Sequence, residues 1–446
     1  MKRVGWLLLL ASQIVVIVAF WFWNHLHHAL GNQLTGEAAG QYLAWGRLAG
    51  LLLTLGLLLQ VVLIGRQRWV EQAFGLDRLI RLHHTLGFAL VLLLAAHPVL
   101  LTVGHAMRAD ASLAGQFVDF CRGWEDVLAA VVGLAIIVAV IGFSVAAVRR
   151  RLRYEVWYGI HLALYIAAAL TFGHQLAVGS DFAGRRGLAV YWCVLYALAF
   201  GSLVLCRIVR PLRLYWRHRF VVARLVPEAG GVTSVHIAGR DLHALEVEAG
   251  QFVIVRFLAK GFRWEAHPFS ISQRPDGTHL RLTIKALGDF TRRIPRLPPG
   301  TPVLVDGPHG LFTGRSCSCP KVLMIAGGIG ITPIRGVLDD LLAAGRDVTL
   351  VYANRNRNAV VFEQELAATA AAAPERLRVI HVMSDDPTWP GERGRIDRER
   401  LTRLVPDLGD REVYLCGPPP MMAALRSLLR AASVADPRVH HEQFAL

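Results

Sequence analysis

Charge is scarce in this chain of 446 residues: Asp, Glu, Lys and Arg together make up 18%, against 54% hydrophobic residues. That excludes a disordered chain, which needs high charge and little hydrophobicity. It also excludes an ordinary soluble enzyme, in which about a quarter of the residues are charged. Acids are scarcer than bases, 33 against 48, which leaves a net charge of +15. Cysteine is sparse as well. There are six, without a Cys-x-x-Cys pair, so neither a disulfide framework nor an iron–sulfur or zinc centre is expected.

What is present is unevenly spread. Residues 1–209 hold only 16 basic and 9 acidic residues, and 210–446 hold the remaining 32 and 24. Six stretches in the first part, near 5–23, 42–64, 80–103, 125–148, 154–176 and 187–208, reach the roughly 20 apolar residues needed to cross a bilayer. The first follows Met1-Lys2-Arg3 in the manner of a signal peptide. Bulky Trp21-Phe22-Trp23 stand where a small-residue cleavage site would be, so it reads as an uncleaved helix. Residues 24–41 contain no Lys or Arg. Arg66, Arg68, Arg78 and Arg81 follow the second span, Arg149-Arg150-Arg151 and Arg153 the fourth, and Arg210, Arg213 and Arg217 the sixth. By the positive-inside rule this predicts a multi-pass plasma (inner) membrane protein with both termini in the cytoplasm. Arg185-Arg186 is the exception. Because the arginines border apolar spans, topology accounts for much of the basic excess, and no nucleic-acid partner is expected.

Histidines carry the chemistry of this half. The third span contains His83, His84 and His97, and the fifth His161 and His174. Ionisable groups inside a bilayer are costly and mark function. His83 and His97 are 14 residues apart and His161 and His174 are 13 apart, about 20 Å along each helix. Both helices read inside to outside. His83 and His161 therefore share one depth and His97 and His174 another, which suits two b-type haems, each held by two axial imidazoles. The competing reading is four unrelated polar residues hydrogen-bonded between helices. His84 is an alternative to His83, since adjacent residues point about 100° apart and only one can be a ligand. Arg47, near the outer end of the second span, would pair with a haem propionate or snorkel to the surface. His25, His27 and His28 read as an interfacial, solvated cluster.

Past residue 216 short strand-like runs appear: Arg219–Val226, Gly231–Ala238, Gln251–Phe257, Leu280–Lys285 and Pro302–Val305. Separated by turn residues, they suggest a small antiparallel β-barrel. Then strands alternate with helices. Lys321–Ala326 leads into Gly327-Gly328-Ile329-Gly330-Ile331-Thr332-Pro333 and a helix to about Ala344. Further strands follow at Asp347–Tyr352, Arg378–Met383 and Glu412–Leu415. This predicts a parallel sheet with a ligand at the strands' carboxyl ends, where glycines let backbone approach a pyrophosphate. The expected fold class is a six-helix membrane domain (1–209), an antiparallel β-barrel domain (210–316) and an α/β parallel-sheet nucleotide-binding domain (317–446).

The runs His267-Pro268-Phe269-Ser270, Gly288-Asp289-Phe290-Thr291 and Cys416-Gly417-Pro418-Pro419 complete a pattern. The second half resembles the ferredoxin–NADP reductase superfamily. With its His-Pro-Phe-Ser run and the paired histidines, the whole chain resembles the NADPH oxidase and ferric reductase branch. The resemblance implies that His267, Pro268, Phe269 and Ser270 line FAD, with the Ser270 hydroxyl near the flavin N5. Lys285, Gly288 and Thr291 would hold the FAD tail. Gly327, Gly328, Gly330 and Thr332 would cradle the nicotinamide dinucleotide, bordered by Cys416 and Pro418 near the hydride donor. Phe444 would be the C-terminal aromatic stacked on flavin. The resemblance favours His83 over His84 and places Arg47 beside the outer haem.

NADPH is favoured over NADH. The strand ending at Tyr352 is followed by Ala-Asn-Arg-Asn-Arg rather than by an acid, and Arg355 and Arg357 could pair with a 2′-phosphate. The expected activity is electron transfer from NADPH through FAD and two haems to an acceptor outside. Short outer loops favour a small acceptor, oxygen or a ferric chelate, over a quinone or a periplasmic partner protein. No calcium-binding loop is visible.

Overall fold

The computed structural model describes residues 2–31, 38–145, 150–152, 154–179, 181–182 and 186–442. Phe444, Arg149, Arg153 and Arg185 lie outside the described residues. The chain divides into two compact units, Met1–Phe74 with Arg78–Leu205, and Gly75–Asp77 with Cys206–Leu446.

The first unit is helical. Among the described residues, six helices are long and apolar enough to cross a membrane: Val4–Asn24, Ala38–Ile64, Leu76–Ala109, Val127–Ser144, Glu155–Ala177 and Arg186–His218. Many large apolar side chains on them face outward, among them Leu8, Phe88, Leu92, Ile166 and Leu198, as expected where the solvent is lipid. The fifth helix breaks at Thr171 into Tyr154–Leu170 and Phe172–Ala177. The sixth runs from Arg186–Val204 through a π-helical turn, Leu205–Val209, into Arg210–His218, so residues 209 and 210 lie within one helical run. Where the sequence reading leaves a loop at 104–124, the structure has a further helix, Leu113–Gly123. The Ser112 hydroxyl caps it by accepting from the Gly115 amide at 3.1 Å. At 11 residues it is too short to cross a bilayer, so it does not stand out among the long apolar runs.

Glycines let the second and third long helices approach closely. A Cβ on Gly50 would lie 2.5 Å from His97 Nδ1, and one on Gly46 2.9 Å from Leu101 Cδ2. Side-chain-free positions of this kind are what brings helices together in lipid, where burial provides no drive.

After the helix Arg210–His218 the second unit has six antiparallel strands: β1 (Val221–Glu228), β2 (Val232–Ala238), β3 (Phe252–Phe257), β4 (His267–Ser270), β5 (His279–Lys285) and β6 (Val303–His309). They form two sheets, ordered β1-β2-β5 and β4-β3-β6. The sheets meet only at single bridges, Val221 with Pro302 and Ile271 with Leu282. The expected barrel is thus not one closed ladder, and Pro302, which has no N–H to donate, sits at one seam. Its core is apolar: Phe220, Ile237, Val255, Phe257 and Leu282 are fully buried, each contributing about 1.5–3 kcal/mol.

The remainder is a six-stranded parallel sheet in the order β10-β9-β8-β7-β11-β12. Its strands are β7 (Lys321–Gly327), β8 (Asp347–Asn354), β9 (Leu377–Met383), β10 (Glu392–Arg393), β11 (Glu412–Cys416) and β12 (Val439–Glu442). Helices Ile331–Ala343, Glu363–Ala372, Arg398–Leu404 and Pro419–Ala431 connect them. Strands β4, β10 and β12 have no counterpart in the sequence reading. They are short, and the second half of β12 is polar.

Candidate functional site

The membrane unit brings its histidines together in two pairs. The rings of His83 and His161 have centroids 6.1 Å apart, and those of His97 and His174 are 6.4 Å apart. A metal–imidazole bond of about 2 Å added to a ring radius of about 1.1 Å puts two trans-axial imidazoles about 6.3 Å apart. Both spacings therefore suit one metal between the rings. The His83, His161 and His174 Nδ1 atoms are buried without a hydrogen-bond partner. His97 Nδ1 lies 2.8 Å from the Gly46 carbonyl, the usual way in which the second nitrogen of a ligating imidazole is fixed. His84 is exposed, and its ring stands edge-on to His83 at 6.2 Å.

Around His97 and His174 lies a cavity. Arg47, Gly50, Thr54, His105, Phe120 and Trp124 are among the residues that line it. Leucines, valines and aromatic rings make up most of the remaining wall, with Thr102, Thr171, Gln175 and Asp181 as further polar groups, a lining that suits a flat, largely apolar macrocycle. Arg47 donates its Nε to the Leu43 carbonyl at 3.3 Å, which holds the side chain along the cavity rim.

In the second unit the carboxyl ends of neighbouring strands β7 and β11 face one another, with Ala326 opposite Cys416 in register. A Cβ on Gly330 would lie 2.3 Å from the Cys416 carbonyl oxygen, and one on Gly327 2.5 Å from Met421 Sδ. Only glycine allows the 327–330 turn to seat against 416–418. Gly328 adopts φ +52°, and its carbonyl accepts from the Tyr352 hydroxyl at 3.2 Å. The turn opens the helix Ile331–Ala343, a ready anion site. The Thr332 hydroxyl is spent within the turn, donating to the Ile329 carbonyl at 3.0 Å. Cys416 is fully buried. Burial, and then Glu442, push its thiol well above the ordinary range, so it borders the site as a neutral thiol. Pro418 precedes the helix Pro419–Ala431.

On the flavin side, β4 carries His267, Pro268, Phe269 and Ser270, with Pro268 exposed and Ser270 buried. The Ser270 Oγ has no hydrogen-bond partner. A buried hydroxyl left without a partner costs about 1–3 kcal/mol, so the strand holds it ready for a group it can bond to. His267 packs its ring 4.1 Å from that of Phe290, and its Nε2 lies 3.4 Å from Glu265. Lys285 ends β5 and makes no ion pair among the described residues. Thr291 turns inward: its hydroxyl accepts from the Gly288 amide at 2.9 Å and donates to the Gly288 carbonyl at 3.1 Å. It shapes the turn at Gly288.

Arg355 follows β8 and is exposed, whereas Arg357 pairs with Glu363 at 3.3 Å. Just before them the structure adds a residue that the motifs of the sequence do not single out. Asn354, the last residue of β8, is buried at 6% exposure, and neither polar atom of its amide has a partner. Gly46 and Gly50 were likewise passed over, although Gly46-Arg-Leu-Ala-Gly50 has the Gly-x-x-x-Gly spacing of close helix contacts.

Residues 46–172 match the ferric reductase like transmembrane component. Residues 221–311 match an FAD-binding domain and residues 324–427 an oxidoreductase NAD-binding domain. The chain is 31% identical over 233 residues to the ferredoxin reductase component of a 3-ketosteroid-9-alpha-monooxygenase of Mycolicibacterium smegmatis, covering 50% of this chain and 64% of that protein. It is 27% identical over 241 residues to the glycine betaine monooxygenase reductase subunit of Chromohalobacter salexigens, covering 51% and 64%. The chain thus spans less than two-thirds of the length of either relative. Among solved structures, the FAD/NAD-binding domain of a nitric oxide dioxygenase from Vibrio cholerae O1 biovar El Tor is 25% identical, covers 51% of this chain and 98% of that one, and gives a TM-score of 0.46. With a ferric reductase like transmembrane component followed by FAD-binding and NAD-binding domains, the chain has the architecture of the NADPH oxidase and ferric reductase type.

Proposed function

We propose that this chain moves electrons from cytoplasmic NADPH across the membrane to a small acceptor on the outer face. The observation that carries the reading is the pairing of four intramembrane histidines at 6.1 and 6.4 Å on the same chain as a reductase unit. His83 with His161, and His97 with His174, would each hold one b-type haem, and Arg47 would meet a propionate of the outer one. FAD and the haems supply hydride acceptance and one-electron transfer when bound. The chain's own residues bind and orient. Ser270 would donate its free hydroxyl to the flavin. The glycine turn 327–330 and the helix behind it would receive the dinucleotide phosphates, with Asn354 and Arg355 at the adenosine end. Cys416 and Phe444 would border the reacting ring. Both termini would lie in the cytoplasm of a cell whose plasma (inner) membrane holds the six helices.

Oxygen is the preferred acceptor, giving superoxide. A ferric chelate is the second reading, favoured by the match of residues 46–172 to a ferric reductase like component. The test is NADPH consumption by the full chain, reconstituted in liposomes with FAD and haem. Superoxide that accounts for the NADPH oxidised in air supports the oxidase. Turnover that starts only on adding a ferric chelate supports the reductase. Absence of turnover with either contradicts both.

A further inference from the structure

Gln175 directly follows His174 on the short helix Phe172–Ala177, and its amide is tied on every side. Its Nε2 donates to the Thr171 carbonyl at 2.7 Å and to the Tyr196 hydroxyl at 3.0 Å. Its Oε1 accepts from the Trp192 indole N–H at 2.7 Å and from the Thr54 hydroxyl at 3.5 Å. Both donors and the acceptor of the side chain are used. The four partners come from three places: the second long helix, the sixth, and the break at Thr171 where the fifth helix changes course. Trp192 is 1% exposed. In an apolar surrounding such a fully satisfied amide holds firmly, because each group it releases is left without a partner.

His174 itself has no anchor on a neighbouring helix: the backbone group it faces is Thr171 of the preceding turn. Its Nδ1 is buried and unpartnered, whereas His97 across the cavity is held through Gly46. Adjacent residues of a helix are fixed about 100° apart. The rotation and depth of the Phe172–Ala177 helix, and with them the direction in which His174 presents its ring, are therefore set by the neighbouring amide. We infer that Gln175 is the positioning residue of the outer histidine pair. It holds His174 opposite His97 at ligating distance and thereby governs the ligand field at that pair and not at His83 and His161. This rests on the reading that the two pairs each hold a haem.

The test uses the purified full chain with its haems in nanodiscs. Gln175→Leu keeps the bulk and removes every hydrogen bond. Tyr196→Phe removes only the two made by the Tyr196 hydroxyl, which accepts from Nε2 and donates to Oε1, and guards against a variant that fails to fold. His174→Ala is the control for the underlying reading. Ferric electron paramagnetic resonance and a reductive titration report each haem separately. The expected result is that Gln175→Leu changes one of two low-spin signals, moving it towards high spin with a displaced midpoint potential, and leaves the other unaltered. Tyr196→Phe shifts the same signal less, and Gln175→Glu, which keeps the acceptor, restores part of it. Two unaltered signals in a folded Gln175→Leu protein overturn the inference. Equal perturbation of both haems also overturns it, as that is a general loosening of the bundle. If His174→Ala retains two unchanged haems, the histidine pairing is wrong, and the inference falls with it.

Discussion

The imidazoles of His97 and His174 stand 6.4 Å apart across a cavity in the membrane unit, and His97 is held by the Gly46 carbonyl of a neighbouring helix, whereas His174 faces Thr171 of its own preceding turn. The spacing is that of two ligands to a shared metal, and the asymmetry means that the two rings are held in place by different means. The same helices carry His83 and His161 at 6.1 Å.

Removal of one member of either pair should cost one haem. His97→Ala and His174→Ala are each expected to lower the haem content from two per chain to one, as are His83→Ala and His161→Ala. His84→Ala should keep both, because its ring is exposed. Haem extraction with a pyridine haemochrome assay reads the stoichiometry.

Ser270 offers a test that separates stability from chemistry. Its Oγ is buried without a partner, so Ser270→Ala should not destabilise the flavin-free protein and should, if anything, relieve a desolvation cost of about 1–3 kcal/mol. Flavin reduction by NADPH should slow by about 10-fold, the loss of one hydrogen bond worth roughly 1.4 kcal/mol at the reacting ring. Stopped-flow absorbance of the flavin checks the rate, and a thermal melt without FAD checks the stability.

Arg355 should decide the choice of coenzyme. It is exposed next to the end of β8, while Arg357 is neutralised by Glu363. A charge-assisted bond to a 2′-phosphate contributes about 1.5–3 kcal/mol. Arg355→Ala should raise KM for NADPH by about 10-fold or more and leave KM for NADH unchanged. Equal KM changes for both coenzymes would place the arginine outside the 2′-phosphate site.

Glu412 gives the reductase unit an acid-sensitive joint. The carboxylate is 2% exposed and lies 2.5 Å from His440. It accepts from the Ser318 and Cys319 amides at 2.7 and 3.0 Å. Burial works to raise its pKa, but these hydrogen bonds overcome it and pull the value from 4.5 down to about 2. A lowered pKa in the folded state means stability that is present above about 4.5 and lost as pH falls towards about 2. Glu412→Gln should lower stability at neutral pH by on the order of 2–3 kcal/mol. The difference from the parent should shrink steadily below pH 4.5, as measured by thermal unfolding across that range.

The sequence made some levels of this structure legible and hid others. The six spans and the parallel sheet could be read because long apolar runs and buried strands such as Leu323–Ala326 leave little other choice. The histidine pairs could be read because a helix converts a spacing of 13 or 14 residues directly into depth. Which of His83 and His84 meets His161 could not be derived that way, since it depends on helix rotation, and rotation is set by packing at positions such as Gly46, Gly50 and Gln175. The roles of Thr291 and Thr332 were also beyond the pattern. In the structure both hydroxyls serve their own turns, because a serine or threonine next to free backbone groups bonds locally first. Asn354 went unremarked because a lone asparagine after a strand is an ordinary turn signal, and only its burial without partners marks it out. Helix Leu113–Gly123 escapes a reading by long apolar runs because it has 11 residues and only one apolar face.

The most direct test of the central claim is an anaerobic spectrum. The full chain, purified in detergent with FAD and haem bound, is mixed with NADPH while the haem absorption bands are followed. Two six-coordinate haems per chain are expected, both reduced by NADPH and only in the presence of FAD. A chain that binds no haem, or whose haems stay ferric with NADPH and FAD present, would contradict that claim.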